Sequence, residues 1–220
     1  NNLIKDAVYA ITEFSKNKIK KAKIISCPGC YPTSIQLPLI PLMKKKLVDC
    51  KNMIIDSKSG YSGAGKNLTK KFKHRYLYES IHPYGIYNHR HLSELNQEFF
   101  SIVKKKFDYS FTPHLIPTFR GLLSCIYLNK KKGISSRRIH SELKKTFSKN
   151  IFIKIATFNK NIGTENVLNT NFCEISVCNL KINKKVLIIS AIDNLIKGAS
   201  GQAVQNMNIL FNFTESTGLK

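Results

Sequence analysis

A series of short β-branched runs constrains the fold of this chain more than any other feature. These runs predict strands, and several connections between them are too short to hold a crossover helix. Parallel neighbours need such crossovers, so the pattern indicates an α+β fold with a mixed or antiparallel sheet and helices on one face. Strands are predicted at 23–26, 53–56, 122–128, 151–157, 174–180 and 185–191, with strand-like spacing at 77–87.

Helices are predicted beside these strands at 11–21, 33–46, 93–105, 135–147 and 198–211. The helix at 93–105 is the best marked, because Ser93 suits an N-cap and Leu95 and Phe99 begin an apolar stripe. Pro38 and Pro41 fall inside the helix at 33–46. Each removes a backbone hydrogen bond, so we expect that helix to bend.

Lysine dominates the charged residues and gives the 220-residue chain a formal net charge of +23 at pH 7. The lysines lie in short scattered runs, and arginine, the preferred ligand of bases and phosphates, is scarce. We interpret the charge as a solvated lysine surface whose field would steer anionic substrates. A nucleic-acid-binding protein is the alternative, and it would require retention on DNA that falls steeply with salt.

The rest of the composition is that of a globular protein, with 42% hydrophobic residues. No apolar run approaches the roughly 20 residues that a membrane-spanning helix needs. Six cysteines at irregular spacings do not form a dense disulfide framework, which favours the reducing cytoplasm. The sequence therefore predicts a cytoplasmic protein without a metal site and without a nucleic-acid or membrane partner.

Cys30 is the leading candidate for a catalytic side chain. It follows a short apolar strand and the turn formed by Pro28 and Gly29, and it lies at the head of the helix predicted at 33–46. The positive end of a helix favours thiolate, so this placement predicts a lowered thiol pKa and a nucleophile. Cys27 and Cys30 also have the spacing of a thioredoxin-like redox pair, in which one thiol resolves a mixed disulfide.

Five segments follow one another along the chain, at 28–33 around Cys30, 59–65, 89–91 with Glu94, 111–115 with 120–121, and 193–205. In this order they resemble N-acetyl-gamma-glutamyl-phosphate reductase, a family of NADPH-dependent enzymes of arginine biosynthesis. The resemblance implies reduction of the acyl phosphate to N-acetyl-glutamate semialdehyde through a cysteine thioester. A related enzyme that reduces aspartyl phosphate is the close alternative, and a thiol–disulfide module using Cys27 and Cys30 is the distant one.

The resemblance favours His89 as the acid/base group, and His91 is the second candidate. Both histidines directly precede a predicted helix, whose positive end would disfavour imidazolium and keep the rings neutral. Glu94 is expected to orient His89 through the other ring nitrogen. With Cys30, these residues make up the predicted catalytic set.

The substrate-binding candidates are Arg90 and Arg120, because a guanidinium group binds phosphate or carboxylate bidentately, and Tyr84, where the family also has an aromatic hydroxyl. The loop at 59–65 is predicted to cradle phosphate with exposed backbone amides, and the resemblance places it beside the NADP(H) cofactor. Asn194 is a candidate for holding the nicotinamide amide. The predicted cofactor-binding residues are therefore Ser59, Gly60, Ser62, Gly63, Gly65 and Asn194.

The resemblance also implies a division into three parts. Residues 1–29 would be the tail of a Rossmann dinucleotide-binding domain, of which about 100–150 residues would precede this chain. Residues 30–195 would form a catalytic and dimerisation domain of the semialdehyde-dehydrogenase or glyceraldehyde-phosphate-dehydrogenase-like type. Residues 196–220 would return as a helix to the nucleotide domain, and a homodimer or tetramer would assemble through the central sheet.

Overall fold

The computed structural model describes residues 2–65, 79–104 and 108–220. Its strands are β1 (Ala7–Tyr9), β2 (Ile24–Ser26), β3 (Val48–Gly60), β4 (His82–Pro83), β5 (Tyr109–Ile116), β6 (Leu122–Lys130), β7 (Ile153–Ile155), β8 (Cys173–Asn179) and β9 (Lys185–Ile192). Its α-helices are α1 (Asn2–Lys5), α2 (Thr12–Ile19), α3 (Cys30–Lys44), α4 (Leu92–Val103), α5 (Ser136–Thr146) and α6 (Gly201–Leu210). A 3-10 helix (Tyr61–Ala64) follows β3, and a π-helix (Ile196–Ser200) leads into α6.

Most of the strands belong to one mixed sheet. Within the described residues its order is β4-β5-β3-β6-β9-β8-β7, and β1 pairs with β2 in a separate parallel sheet. Strand β3 runs parallel to β5 and antiparallel to β6, while β9 runs antiparallel to both of its neighbours. The mixed sheet predicted from the short connections is therefore confirmed.

The hydrophobic core lies between this sheet and a layer of helices. Strand β6 alternates buried and half-buried residues, as expected of a strand with one face against the core. Its inward side chains, such as Ile126, pack with Ile55 of β3, Ile188 of β9 and Leu39 of α3. Helices on one face of a mixed sheet make an α+β layer, in agreement with the predicted fold class.

The opposite side of β3 and β6 is partly open, and we call it the open face. It is defined by Ile54, Leu123, Cys125 and Tyr127, which the β3–β6 register places on one surface. Ile54 is 44% exposed there. Towards β9, this side of the sheet is covered by a second apolar cluster that includes Ile162, Val167 and Ile189. The open face is thus limited to the middle strands β3 and β6, and it carries both polar and apolar side chains.

Several elements differ from the predicted bounds. Strand β3 is longer than the predicted 53–56, because an irregularity between Asp49 and Ile54 lets it continue on both sides. Strand β5 was not predicted, since Pro113 interrupts its pattern. The strand-like spacing at 77–87 yields only β4, and residues 77–78 lie outside the described residues, as does position 105 at the predicted end of α4. Helix α3 continues through Pro38 and Pro41 to Lys44.

The C-terminal helix α6 packs against the beginning of the chain. Ala10, Ile19 and Ile209 form a small buried cluster there. Thr12 Oγ1 donates a hydrogen bond of 2.7 Å to Asn206 Oδ1 across the same contact.

The division at 1–29, 30–195 and 196–220 stays a prediction. Within the described ranges, no helix has the length and apolar character needed to cross a bilayer.

Candidate active site

Cys30 is the first residue of α3, three positions earlier than the predicted start of that helix. Gly29 is the N-cap residue, with extended φ and ψ of −68° and 168°, and it follows the turn after β2. The side chain of Cys30 is partly buried. The strand–turn–helix arrangement inferred from the sequence is therefore present.

The pKa of the Cys30 thiol does not follow the expectation. Burial raises it to about 11, while the backbone amides of Tyr31 and Cys30 and the charge of Arg90 act in the opposite direction. The free-energy cost of removing a thiolate from water exceeds the stabilisation that one helix end provides. The prediction of a lowered pKa is therefore wrong for this structure. Arg90 itself is exposed, and its charge acts on Cys30, His89 and His91.

Glu94 contacts the turn in front of Cys30. Its Oε2 accepts a hydrogen bond of 3.0 Å from the backbone N–H of Gly29 and one of 2.9 Å from the hydroxyl of Tyr9. The expected contact with His89 is replaced by these two, because α4 directs Glu94 toward β1 and the turn. Glu94 therefore holds the backbone that presents Cys30.

His91 lies directly against Gly29. A Cβ atom added at Gly29 would lie 2.3 Å from His91 Nε2, so this close approach requires glycine. The ring is 5% exposed, and burial lowers its pKa to about 3, with smaller contributions from His89 and Arg90. Among the described residues, its Nδ1 has no hydrogen-bond partner.

His89 is half-buried and more accessible than His91. Burial, followed by the charge of Arg90, lowers its pKa to about 4. The predicted neutral state of both rings is thus supported, with burial rather than the helix end as the main cause. The backbone N–H of His91 donates to His89 Nδ1 at 3.2 Å. We therefore assign the proton of the neutral His89 ring to Nε2.

Tyr31 is a site residue that the sequence reasoning missed. It follows Cys30 directly, and its ring makes edge contacts with His89 and His91 at centroid distances of 5.4 and 5.9 Å. Its hydroxyl donates to His114 O at 3.1 Å and accepts from the Tyr84 hydroxyl at 3.3 Å. Burial raises the pKa of both tyrosines. Tyr84, which was predicted to bind substrate, thus has a hydroxyl partner inside the protein. For Tyr31, the available sequence signal was its position in the motif at 28–33.

The glycine-rich loop does not present the backbone amides that were predicted to cradle phosphate. The N–H groups of Gly60, Tyr61 and Ser62 donate to the carbonyls of Gly121, Thr118 and Phe119 at 2.8–3.1 Å. For these three amides the prediction is wrong, because this part of the loop pairs with the chain between β5 and β6, and for the other residues of the loop it stays a prediction. Ser59 is fully buried, while a Cβ at Gly65 would meet no atom within 4 Å.

Asn194 connects the loop with the end of β9. Its Oδ1 accepts from the Gly121 N–H at 2.7 Å, and its Nδ2 donates to Ser62 Oγ at 3.0 Å. A Cβ at Gly63 would lie 3.7 Å from the same Nδ2, so Gly63 also borders this amide. One N–H of Asn194 remains beyond the bond to Ser62, since an amide group has two donors.

Arg120 forms an internal ion pair. Its Nη1 donates to Asp193 Oδ2 at 3.0 Å and to Asn169 Oδ1 at 2.8 Å. Asp193 is fully buried, and its other oxygen accepts from the backbone N–H groups of Leu195 and Ile196. The structure therefore gives Arg120 a role in holding the segment after β9, in addition to any contact with substrate.

Gly198 is the second site residue that the sequence reasoning missed. A Cβ at this position would lie 2.6 Å from Cys30 Cβ and 3.0 Å from Cys30 Cα. The backbone of the π-helix thus packs directly on the thiol-bearing residue. Glycine within the motif at 193–205 was the signal, although nothing in the sequence shows what it approaches.

Comparisons with known proteins identify the family of this chain. The family model described as semialdehyde dehydrogenase, dimerisation domain, matches residues 30–194. An Arabidopsis thaliana protein named "Probable N-acetyl-gamma-glutamyl-phosphate reductase, chloroplastic" is 43% identical over 217 residues, which are 99% of this chain and 54% of the relative. The N-acetyl-gamma-glutamyl-phosphate reductase of Afipia carboxidovorans is 41% identical over 218 residues, 99% of this chain and 62% of the relative.

The chain thus spans between 54% and 62% of the length of these two curated relatives. A crystal structure of aspartate semialdehyde dehydrogenase II from Vibrio cholerae has the same fold, with a TM-score of 0.73 over 94% of this chain and 69% of that chain. Its sequence is 17% identical, so the likeness concerns the fold alone. The family match over most of the sheet and its helices leads to one conclusion: the chain belongs to the semialdehyde dehydrogenase dimerisation-domain family.

Proposed function

We propose that the protein containing this chain reduces N-acetyl-gamma-glutamyl phosphate to N-acetyl-glutamate 5-semialdehyde and phosphate, with NADPH as the reductant. The observation that supports this most directly is the position of Cys30 at the first residue of α3, between Gly29 and Tyr31, which contact His91 and His89, and under the charge of Arg90. Relatives named for this reaction, at 41–43% identity over 99% of the chain, support the same substrate.

Cys30 Sγ attacks the acyl carbon, the carbon–oxygen bond to phosphate breaks, and the thiol proton leaves with the phosphate. The product of this step is a thioester on Cys30. Because the thiol pKa is about 11, very little thiolate exists in the unliganded site near neutral pH. Attack by Cys30 therefore requires that the anionic phosphate is bound and that the thiol proton is accepted at the same time. The exposed guanidinium of Arg90 is the candidate for holding that phosphate.

His89 acts through the N–H at Nε2, because Nδ1 is engaged by the His91 amide. In the neutral ring this N–H is a hydrogen-bond donor, which suits stabilisation of the oxygen that becomes negative when the thioester is reduced. The carbon–sulfur bond of this intermediate then breaks, the oxygen returns to a carbonyl, and the Cys30 thiolate released with the aldehyde takes up a proton from water. His91, buried against Gly29, keeps the ring of His89 in place and is the second candidate for proton transfer.

The reaction needs a nicotinamide nucleotide, which supplies the hydride when it is bound. Asn194 is the candidate for its nicotinamide carboxamide, because an amide nitrogen has two donors and Nδ2 has one described hydrogen bond, to Ser62. Gly63, which borders that amide, and Gly65, which has open space around it, stay the candidates in the loop. The internally bonded amides of residues 60–62 do not fit a phosphate site. The proposal includes a preference for NADP over NAD.

A second copy of the chain is proposed to cover the open face, in keeping with the name of the matching family. Ile54 lies on that face opposite Tyr127 and is 44% exposed. Such an arrangement would make the central sheet the subunit interface.

The cytoplasm stays the predicted compartment, with six free cysteines as its support.

The test uses the protein at its natural length. We expect phosphate-dependent reduction of NADP by N-acetyl-glutamate semialdehyde, with activity abolished in Cys30→Ser. Cys27→Ser is the matched control and should stay active, because the proposed reaction uses no group at Cys27. Its Sγ accepts a hydrogen bond of 3.4 Å from Asn206 Nδ2. Loss of function in Cys27→Ser would favour the thiol–disulfide alternative. Faster turnover of aspartate semialdehyde than of the N-acetyl-glutamate compound would reassign the substrate.

A further inference from the structure

A buried ion pair that the proposed reaction does not use lies close to Cys30. Lys197, in the π-helix, is 0% exposed, and its Nζ donates to Glu13 Oε1 of α2 at 2.5 Å. The side chain of Glu13 is 1% exposed. Two charges removed from water in this way incur a large desolvation penalty, so their retention requires an explanation.

Gln205 of α6 extends the pair into a network. Its Oε1 accepts from Lys197 Nζ and from Asn171 Nδ2, both at 2.9 Å. Its Nε2 donates to Glu13 Oε1 at 3.2 Å and to Glu215 Oε1 at 2.8 Å. Residues from the beginning, the middle and the end of the chain therefore meet around one ammonium group.

Stability alone does not account for this network. Three buried oxygens near its members, Glu13 Oε2, Asn171 Oδ1 and Gln202 Oε1, have no hydrogen-bond partner among the described residues. A buried polar network that is only partly satisfied costs free energy relative to apolar packing. Fixing the relative position of the three segments is the benefit that remains.

What the network holds is the segment that packs on the nucleophile. Gly198, the residue after Lys197, lies so close to Cys30 that no Cβ fits between them. One turn later, Gln202 Nε2 donates to Thr33 Oγ1 of α3 at 2.9 Å. A π-helical turn of this kind is frequently found at functional sites. Lys197 thus faces α2 on one side, while its own backbone continues into the contact with Cys30.

We propose that Lys197 is a positioning residue for Cys30: its ion pair with Glu13 sets the backbone of Gly198 against Cα and Cβ of Cys30 and so links α2 to the residue that carries the thiol. The proposal rests on the proposed role of Cys30 as the nucleophile, although the contact itself does not depend on the identity of the substrate.

The test measures the rate at which iodoacetamide alkylates Cys30, identified by peptide mass, together with kcat and KM in the natural-length protein. We expect Lys197→Met to alkylate at least fivefold faster, because the backbone of Gly198 no longer packs against Cα and Cβ of Cys30, and to lose at least tenfold in kcat with KM changed less than threefold. Glu13→Gln, which preserves an acceptor for Lys197, should change both rates in the same directions by smaller factors.

Lys131→Met is the matched control. It removes a lysine whose ion pair with Asp49, at 3.6 Å, is partly exposed and lies outside this network, and its alkylation and turnover should stay within twofold of the wild type. Wild-type alkylation and kcat in Lys197→Met, with only a lower melting temperature, would overturn the proposal. If Lys197→Met does not fold, unchanged rates in Glu13→Gln would overturn it equally.

The alkylation measurement separates this proposal from the proposed function. Faster alkylation in Lys197→Met in a protein that reduces no acyl phosphate would refute the reaction and leave the coupling intact. Robust reduction by all variants at the wild-type rate, with unchanged alkylation, would refute the coupling and leave the reaction intact.

Discussion

The thiol of Cys30 is subject to two opposing effects at the scale of a single residue. The amides at the start of α3 and the charge of Arg90 favour thiolate, whereas burial disfavours it more strongly. The resting thiol is therefore protonated, and its reactivity depends on what enters the site. A thiol of this kind is protected from adventitious oxidation, because oxidation proceeds through the thiolate.

The pH dependence of Cys30 alkylation follows from this pKa. Below about pH 11 the thiolate fraction rises about tenfold per pH unit, so the iodoacetamide rate should still be increasing at about pH 10. The measurement is a rate–pH profile with Cys30→Ser as the background. A plateau close to neutral pH would contradict the burial argument and restore the lowered pKa first expected from the helix end.

The residues of the site differ in how far the sequence could predict them. The turn before Cys30 could be predicted, because proline, glycine and the following apolar positions are local signals. The partners of Glu94 could not, since Gly29 and Tyr9 are separated from it by 65 and 85 positions. The same applies to Gly198, whose glycine is explained only by its contact with Cys30.

At the scale of elements, α4 connects the histidines with the turn at Cys30. The helix begins directly after His91, and Glu94 in its first turn accepts hydrogen bonds from Gly29 and Tyr9. The backbone carbonyl of Glu94 also accepts from Gln36 of α3 at 3.3 Å. One helical turn thus positions α3 and β1 together with the catalytic candidates that precede it.

Replacing Glu94 tests this arrangement. Glu94→Ala leaves the Gly29 N–H without its acceptor, so we expect a loss of about 1–3 kcal/mol in the free energy of unfolding and a fall in kcat. Glu94→Gln, which keeps one oxygen, should retain most of both. Denaturant unfolding and steady-state kinetics are the measurements, with Gln97→Ala on the exposed side of α4 as the control. Equal effects of the alanine and glutamine substitutions would contradict a role for the acceptor oxygen.

The strand pattern predicted the sheet better than its order. Strands β6, β8 and β9 were found from β-branched runs because each is a local signal. Strand β5 was missed, since Pro113 interrupts its run, and it pairs in parallel with β3, which is distant in sequence. Parallel pairing has no short turn to mark it, so the edge of the sheet could not be predicted from local patterns.

At the scale of the whole molecule, the buried histidines make stability depend on pH. The pKa values of His89 and His91 are about 4 and about 3 in the folded chain, compared with an ordinary value of 6.5. Between these values the unfolded chain binds more protons, so the free energy of unfolding rises with pH in this window and is lost as pH falls below 6.5.

We expect acidification from about pH 7 to about pH 4 to cost on the order of 2 kcal/mol through His91, with a smaller contribution from the more exposed His89. Denaturant unfolding of the wild type and of His91→Gln at several pH values measures this. The variant should show a flatter dependence, and the comparison at about pH 8, where the rings are neutral in both states, serves as its reference. Parallel curves for the two proteins would exclude His91 as the source.

The proposed interface on the open face leads to a prediction about assembly. Ile54→Lys places a charge on the exposed apolar part of that face, so it should shift the natural-length protein toward monomer in light scattering. Phe100→Lys is the matched control, because Phe100 is 54% exposed on the helical layer and lies outside the proposed interface. A monomeric wild type, or a variant that keeps the wild-type mass, would refute the open face as the subunit contact.

Two contacts described above reach Cys30 from the first part of the chain, one through Tyr9 and Glu94 and one through Glu13 and Lys197. They approach the nucleophile from opposite neighbours, Gly29 and Gly198. A protein engineer who excised residues 30–194 as a module would leave the Glu94 carboxylate without Tyr9 and Gly29, and would leave Cys30 without the backbone of Gly198. The boundary of the family match is therefore a poor place to cut, and transplants of this unit should include the strand and helix at 7–19 and the helices at 196–210.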